Sequence, residues 1–173
     1  MAWIEHLPSA NWLQATGSVL GAYLLGCFAI GYYLVRARTG RDIREIGSGG
    51  TGARNAGRIL GKSGFTLTAL GDLSKGALAV WFAAEFASHN RTAMALAMLA
   101  VVVGHIWPAQ LHFRGGKGVA TSFGALLMFD YRVALTILVL FLGGLRSRGK
   151  AFSRPCLPLP VCRWWTGGST ATT

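Results

Sequence analysis

Two short cationic segments carry the residue types that bind phosphate. The first, residues 47–58, reads GSGGTGARNAGR. Its glycines allow successive backbone N–H groups to turn toward one anion, and a helix that begins directly afterwards adds the positive end of its dipole. The side-chain donors of this segment are Ser48, Thr51, Arg54, Asn55 and Arg58. The segment predicts a phosphate cradle; the alternative is a flexible basic loop that lies against anionic lipid.

The second cationic segment, residues 111–121, reads LHFRGGKGVAT and predicts another concave backbone turn, at the start of an apolar helix. Lys117 supplies an ammonium group to this turn, and its neighbouring glycines are Gly115, Gly116 and Gly118. His105 precedes the segment in the run GHIWP. An imidazole there can act as a general base, but a single histidine at a helix end is more often a structural donor, and we favour that interpretation.

Asp72 and Lys75 are the ionisable residues of an otherwise apolar run, residues 65–84. Their spacing places both on one face of a helix, where they can pair. Ionisable groups inside a membrane span are costly and usually functional. A structural ion pair that orients the helix explains the same pattern, so both interpretations stay open.

Two nucleotide-binding patterns occur by coincidence. Residues 47–52 match G-x-G-x-x-G, and Asp72 follows about twenty residues later, as in a dinucleotide site. Residues 56–63 fit a relaxed phosphate-loop pattern with alanine in the first place. Neither pattern follows a buried strand, which both motifs require. No nucleotide cofactor and no metal site are predicted.

Composition favours a membrane over an aqueous setting. Hydrophobic residues make up 52% of the chain and charged residues 13%, against about 25% charged in a typical soluble domain. The 17 Lys and Arg residues exceed the 6 Asp and Glu residues, which gives a formal charge of +11. Because these cations lie between apolar segments, we expect them to meet phosphate and anionic lipid and not nucleic acid.

Apolar segments predict an all-α, polytopic transmembrane bundle of about five helices. In chain order they are residues 17–35, 65–84, 92–111, 118–129 and 133–142. The first three approach the ~20 residues that a helix needs to cross the hydrocarbon core. The last two are shorter, and Asp130-Tyr-Arg132 between them predicts a helical hairpin with a tight polar turn. The first segment is not predicted to be a signal peptide, because its basic residues follow it and do not precede it.

The positions of Lys and Arg predict the orientation of the bundle. Those between the first two spans are Arg36, Arg38, Arg41, Arg44, Arg54, Arg58 and Lys62. Arg91 alone lies between the second and third spans, and Arg114 and Lys117 follow the third. The positive-inside rule places loops 36–64 and 112–118 in the cytoplasm and the amino terminus outside. Both glycine-rich segments then share one face.

Regular patterning ends near Gly143. We therefore predict a membrane domain over residues 1–145 and an irregular segment over residues 146–173. The irregular segment is either a disordered basic tail or the product of a shifted reading frame, and the abrupt end of the fifth apolar segment favours the second. The cysteines lack the paired spacing of a zinc site and are predicted to be free thiols; they are Cys27, Cys156 and Cys162.

Four linked motifs resemble those of the bacterial acyl-phosphate:glycerol-3-phosphate acyltransferases, the PlsY family. They are the DIR run at 42–44 with residues 47–58, DLSKG at 72–76, GHIWP at 104–108 and FRGGKGVAT at 113–121. The similarity covers the chain from about Leu20 to Leu142, in order. The resemblance implies a small helical bundle in the bacterial inner membrane, with its active site at the cytoplasmic face.

The same resemblance implies transfer of a fatty acyl group from acyl phosphate to the 1-hydroxyl of glycerol 3-phosphate, which gives 1-acyl-glycerol 3-phosphate for phospholipid synthesis. Catalytic roles would fall to Ser48, Arg58 and Lys117, with support from Asp72, Lys75 and His105. Residues that bind substrate phosphate would be Gly47, Gly49, Gly52, Asn55, Gly115, Gly116 and Gly118. No cofactor is expected, and a soluble acyl-phosphate synthase is a candidate partner.

The chain departs from the family pattern at three places. Gly50 stands where the family usually has Asn, and Arg54 where it usually has Thr. The family's third motif, His-Arg-x-Asn-Ile followed by Arg-Leu, helps to bind glycerol 3-phosphate and has no counterpart in this sequence. Two alternatives therefore stay open: a small transporter or lipid-binding membrane protein, and a truncated, non-catalytic relic of the acyltransferase.

A shifted reading frame makes a direct prediction. Translation of the other frames of the gene past codon ~140 should restore apolar helical segments. If neither frame contains such a segment, the disordered-tail interpretation remains.

Overall fold

The computed structural model describes the backbone of residues 12–151 and the side chains of residues 12–144, and every regular element in that range is helical. The elements are α1 (Trp12–Cys27), α2 (Ile30–Thr39), α3 (Ala53–Phe86), α4 (Arg91–Ile106), α5 (Val119–Phe129) and α6 (Tyr131–Ala151), with 3-10 turns at Ile43–Glu45 and Ala109–Leu111. The all-α prediction is confirmed.

The chain divides into two compact units, residues 1–135 and residues 136–173. The described part of the second unit continues helix α6. Cys27 is a buried free thiol, as predicted. The predictions for Cys156, for Cys162 and for the irregular segment beyond Ala151 lie outside the described residues.

Two helical stretches are long and apolar enough to cross a membrane, Trp12–Thr39 and Arg91–Leu111, each with a mean hydropathy of 1.7. The first is interrupted at Phe28 and Ala29, so α1 and α2 are separate helices. The sequence did not predict this break because the residues around it are apolar throughout.

Helix α3 is longer than predicted and sharply bent. It begins at Ala53 and contains a non-helical residue, Gly61, with φ 73° and ψ −159°. A Cβ at Gly57 would lie 2.9 Å from the Cβ of Phe65, whereas eight residues of straight helix span ~12 Å. The two arms of α3 therefore fold against each other. The short first arm, residues 53–60, carries the glycine-rich loop, and the second arm supplies the predicted span.

Small residues let the helices approach closely, as is common in membrane bundles. Gly26 of α1 lies against the backbone of Val101 in α4, and Gly104 of α4 lies against the backbone of Tyr23. The core that joins α1, α3, α4 and α5 consists of small and medium side chains: Ala22, Ala79, Val80, Ala83, Ala97, Val101 and Ala125. Large apolar side chains instead point outward, among them Leu24, Leu70 and Leu99, each more than half exposed.

One residue, Asp130, separates α5 from α6. Its carboxylate accepts hydrogen bonds from the N–H groups of Arg132 (3.0 Å) and Val133 (3.4 Å), which starts the new helix. The sequence predicts a polar turn over residues 130–132, whereas in the structure Asp130 is the one residue of this turn outside a helix. Helix α6 continues to Ala151, past the predicted end of regular structure at residue 145, and no proline interrupts this stretch.

Gly26→Ala should lower the thermal midpoint of the purified protein in detergent, because the added methyl group would overlap the backbone of Val101. Overpacking of this kind typically costs about 1–3 kcal/mol. Gly21→Ala is the matched control on the same helix, since a Cβ there meets nothing within 4 Å and alanine favours the helix. Equal midpoints for the two variants would contradict the close approach of α1 and α4.

Candidate functional site

The glycine-rich loop is held together by one buried side chain, Asn55, in the first turn of α3. Its Oδ1 accepts a hydrogen bond from the N–H of Ser48 at 3.0 Å. Its Nδ2 donates toward the carbonyls of Ile43 (3.1 Å), Ile46 (2.9 Å) and Gly50 (3.0 Å). Because the backbone of the loop engages both ends of this amide, Asn55 shapes the cradle and does not offer a free donor to phosphate. This corrects the prediction that placed Asn55 among the phosphate ligands.

The backbone of the loop has the form that an anion site needs. Gly47 and Gly49 adopt left-handed conformations, with φ 65° and 71°, and a Cβ at Gly47 would overlap Oδ1 of Asn55. The N–H groups of residues 50–52 have no partner within the described part of the chain, and Gly52 is the N-cap of α3. Free donors therefore precede a helix start, which is the arrangement that the sequence predicts.

The side chains of this segment divide between the surface and the interior. Ser48, Arg54 and Arg58 are exposed, and the two arginines lie one turn apart on the first arm of α3. Thr51 is 1% exposed, so its hydroxyl lies inside the loop and is not presented to a substrate, contrary to our expectation. A Cβ at Gly50 meets nothing within 4 Å, so the loop has room for the Asn that the family usually has there.

In the second cationic turn, backbone N–H groups that the sequence predicts to face phosphate instead donate to carbonyls of the protein. The N–H groups of Gly115 and Gly116 donate to the carbonyls of Ile106 (3.1 Å) and His105 (3.1 Å), at the end of α4. A Cβ at either glycine would overlap His105, at its carbonyl oxygen or at Nε2 of its ring. These two glycines therefore allow close packing and do not offer free donors to phosphate. The prediction that they bind phosphate through the backbone is replaced by this packing role.

Lys117 is exposed and follows directly after this packed turn. Gly118 has a left-handed φ of 77° and is the N-cap of α5. The first N–H groups of a helix have no partner inside the helix, and its start carries positive potential. Lys117 and the start of α5 together form the second cationic helix start that the sequence predicts.

Arg44 links the loop before the first cationic segment to the second segment, a role that the sequence did not predict. Its Nη1 donates to the carbonyl of Leu111 at 2.8 Å, while its Nη2 pairs with Oδ2 of Asp42 at 2.6 Å. The guanidinium also lies 5.4 Å from the ring centroid of Tyr32. The side-chain hydrogen bond from Arg44 lowers the pKa of Asp42 from its ordinary value of 3.8, so the pair is ionised at neutral pH. The D-x-R spacing was the one sequence signal for this contact.

Asp72 and Lys75 form a buried ion pair, with Nζ 3.1 Å from Oδ1. Lys75 is 3% exposed, and its Nζ also donates to the carbonyls of Gly26 (3.1 Å) and Phe28 (2.8 Å), where α1 ends. Nδ1 of His105 lies 3.5 Å from the same carboxylate oxygen. These contacts favour the structural interpretation of the pair and of His105, which is 4% exposed and faces the interior.

An apolar cavity of about 390 Å³ lies between the start of α1 and the end of α3, at the opposite end of these helices from the glycine-rich loop. Its walls include Gly17, Gly21, Phe82 and Phe86. It contains none of the candidate site residues. Within residues 12–151, no group of three or more His, Cys, Asp or Glu residues could hold a metal ion.

Comparison with known proteins gives a consistent result along most of the chain. Residues 16–150 match the family model described as glycerol-3-phosphate acyltransferase. Glycerol-3-phosphate acyltransferase 1 of Desulfitobacterium hafniense (strain Y51) is 51% identical over 124 residues, which cover 72% of this chain and 61% of the relative. The protein of the same description from Bacillus cereus (strain ATCC 14579) is 40% identical over 159 residues, which cover 90% of this chain and 86% of the relative.

Solved structures agree with the sequence comparison. The glycerol 3-phosphate form of PlsY (YgiH), an integral membrane glycerol 3-phosphate acyltransferase, superposes with a TM-score of 0.68 and 36% identity, and covers 75% of this chain and 64% of that chain. Its lysophosphatidic acid form gives 0.65 and 33%. The predicted polytopic membrane bundle is confirmed. The chain spans 61% of the length of the Desulfitobacterium relative and 64% of the solved chain.

Asn55→Ala should loosen the glycine-rich loop, because buried carbonyls that now accept from Nδ2 would lose their donor. Leaving such groups unsatisfied costs about 1–3 kcal/mol. Amide hydrogen exchange of residues 43–52 should accelerate, and the thermal midpoint should fall. Ser48→Ala is the matched control, since its exposed side chain is removed while its N–H still donates to Asn55. Unchanged exchange in Asn55→Ala would refute the central role of this amide.

Proposed function

We propose, because the chain belongs to the glycerol-3-phosphate acyltransferase family, that it transfers a fatty acyl group from acyl phosphate to the 1-hydroxyl of glycerol 3-phosphate. The product is 1-acyl-glycerol 3-phosphate. The observation that carries this proposal is the loop at residues 47–52, whose free N–H groups precede the start of α3 next to exposed cations. Both substrates carry phosphate, which explains two cationic helix starts in one chain.

The reaction needs no covalent enzyme intermediate, because acyl phosphate is already an activated donor. The hydroxyl oxygen of glycerol 3-phosphate attacks the acyl carbonyl carbon and forms the ester C–O bond. The C–O bond to phosphate breaks, phosphate leaves, and a substrate phosphate oxygen accepts the hydroxyl proton. Positioning and charge neutralisation supply most of the rate.

The residues proposed to contact phosphate divide between the two substrates. The Ser48 hydroxyl and the N–H groups of residues 50–52 hold one phosphate, and Arg58 neutralises its charge. Lys117 and the start of α5 receive the other phosphate. The left-handed backbone at Gly47 and Gly49 determines the path of the loop, and Gly52 is the N-cap of α3.

The location of the site follows from the order of the helices. Successive membrane-crossing helices alternate in direction, so the end of Trp12–Thr39, the start of α3, the end of Arg91–Leu111 and the start of α5 share one face. The excess of Lys and Arg in these loops supports the proposal that this face is the cytoplasmic face of a multi-pass inner-membrane protein. There the site would meet acyl phosphate from a soluble synthase, while the acyl chain stays in the bilayer.

A non-catalytic relic is the second candidate, because the third motif has no counterpart in this sequence. In the catalytic proposal, residues 1–145 carry the reaction and residues 146–173 take no part in it. A transport role has less support, because Lys75 is engaged by an ion pair and two backbone carbonyls and not by an open path.

Arg58→Ala and Lys117→Ala should each lower acyl transfer by about 10²–10³-fold, the typical loss when one preorganised charge contact is removed. The measurement is the formation of labelled product from glycerol 3-phosphate and acyl phosphate by the purified protein in detergent. Lys62→Ala, which removes an exposed cation beyond the bend at Gly61, is the matched control.

Wild-type rates in Arg58→Ala and Lys117→Ala would refute the assignment. If the unaltered chain binds glycerol 3-phosphate but transfers nothing, the relic is favoured. A version of the gene translated in another frame after codon ~140, tested in parallel, then shows whether the segment encoded there restores activity.

A further inference from the structure

We propose that the buried Asp72–Lys75 pair positions the Lys117 turn, and that it acts through the ring of His105. The inference rests on the proposed function, because the position of Lys117 matters to catalysis only if this turn binds substrate phosphate. Asp72, Lys75 and His105 are positioning residues in this scheme, and the substrate contact belongs to Lys117.

The pair is anchored to the end of α1 and cannot shift independently. Nζ of Lys75 donates to two carbonyls, those of Gly26 at 3.1 Å and Phe28 at 2.8 Å, and it lies 3.1 Å from Oδ1 of Asp72. Two of its three N–H donors are used by these carbonyls, and the contact with Asp72 is an ion pair. The carboxylate of Asp72 is thereby fixed between α3 and the end of α1.

The carboxylate in turn faces the ring of His105. Its Oδ1 lies 3.5 Å from Nδ1 of that ring, and both side chains are 4% exposed. Neither of these two atoms has a hydrogen-bond partner among the described residues, so the carboxylate acts on the ring through its charge, which favours the tautomer with a proton on the nearer nitrogen. Nε2, on the other side of the ring, is directed toward Gly116.

The Lys117 turn rests on this ring. A Cβ at Gly116 would overlap Nε2, so the backbone of residue 116 lies directly on the imidazole. The N–H of Gly116 donates to the carbonyl of His105, and that of Gly115 donates to Ile106, both at 3.1 Å. The next residue is Lys117, and Gly118 then begins α5. The His105 ring and these two backbone hydrogen bonds therefore hold together the backbone that leads to Lys117.

Two variants test the scheme from opposite sides. Asp72→Asn with Lys75→Met removes both charges together and leaves no unpaired buried charge. Gly116→Ala leaves the pair intact and displaces the ring from the turn. We expect hydrogen exchange at residues 113–118 to accelerate about tenfold in both variants, as local opening of the turn becomes easier, while exchange at residues 47–52 stays as in the wild type. The KM should rise in both variants for the substrate whose phosphate this turn receives, and measuring it for glycerol 3-phosphate and for acyl phosphate identifies that substrate.

Glu85→Gln is the control, because Glu85 is an exposed carboxylate on α3 outside the network. Unchanged exchange at residues 113–118 in both variants would overturn the proposal. Equal acceleration throughout the double variant would also overturn it, because the pair would then act only on global stability. If the wild type transfers no acyl group, the proposed function fails independently of this inference. The hydrogen-exchange rates at residues 113–118 still decide whether the Asp72–Lys75 pair positions the Lys117 turn.

Discussion

A helix that breaks inside a membrane leaves carbonyl groups that hydrocarbon cannot solvate, and this constraint organises the centre of the bundle. The carbonyl groups at the break after α1 accept hydrogen bonds from two side chains. Lys75 donates to Gly26 and Phe28, and Nε2 of Gln110 donates to the carbonyl of Cys27 at 2.7 Å. A cation at the end of a helix also meets the negative end of its dipole.

Burying that cation imposes further requirements on the fold. An isolated ammonium in the interior would cost far more than its hydrogen bonds return, so Asp72 has to accompany it. For Lys75 to reach α1, the helices must also lie close together. Gly26 meets this condition, because it accepts from Lys75 and packs on the backbone of Val101. The next residue after Lys75, Gly76, lies against the carbonyl of Thr121 in α5. Small residues and the ion pair are therefore parts of one packing solution.

The features that the sequence predicts correctly, the apolar spans and the glycine-rich loop, depend on the composition of short stretches of chain. Runs of apolar residues located the spans, and the glycines and arginines of residues 47–58 located a loop that ends at a helix start, which the structure contains. The sequence did not predict which polar groups are already engaged. Asn55, Gly115 and Gly116 have the residue types of a phosphate site, but their partners are backbone groups whose positions only the packed fold defines. The break at Phe28 lies in an apolar run, and the side chain that stabilises it, Lys75, is 47 positions away in the sequence, so no local pattern predicts the break.

The bend at Gly61 determines how far the glycine-rich loop stands from the end of the apolar span of α3. If α3 continued straight through that residue, its first eight residues would rise ~12 Å further along the axis at 1.5 Å per residue. The loop would then stand well away from the end of the apolar span. With φ at 73°, Gly61 folds the first arm back, and Gly57 rests on Phe65. A single left-handed glycine thus keeps the loop close to the end of the apolar span; in the proposed reaction, this is the distance between the substrate phosphate and the lipid that holds the acyl chain.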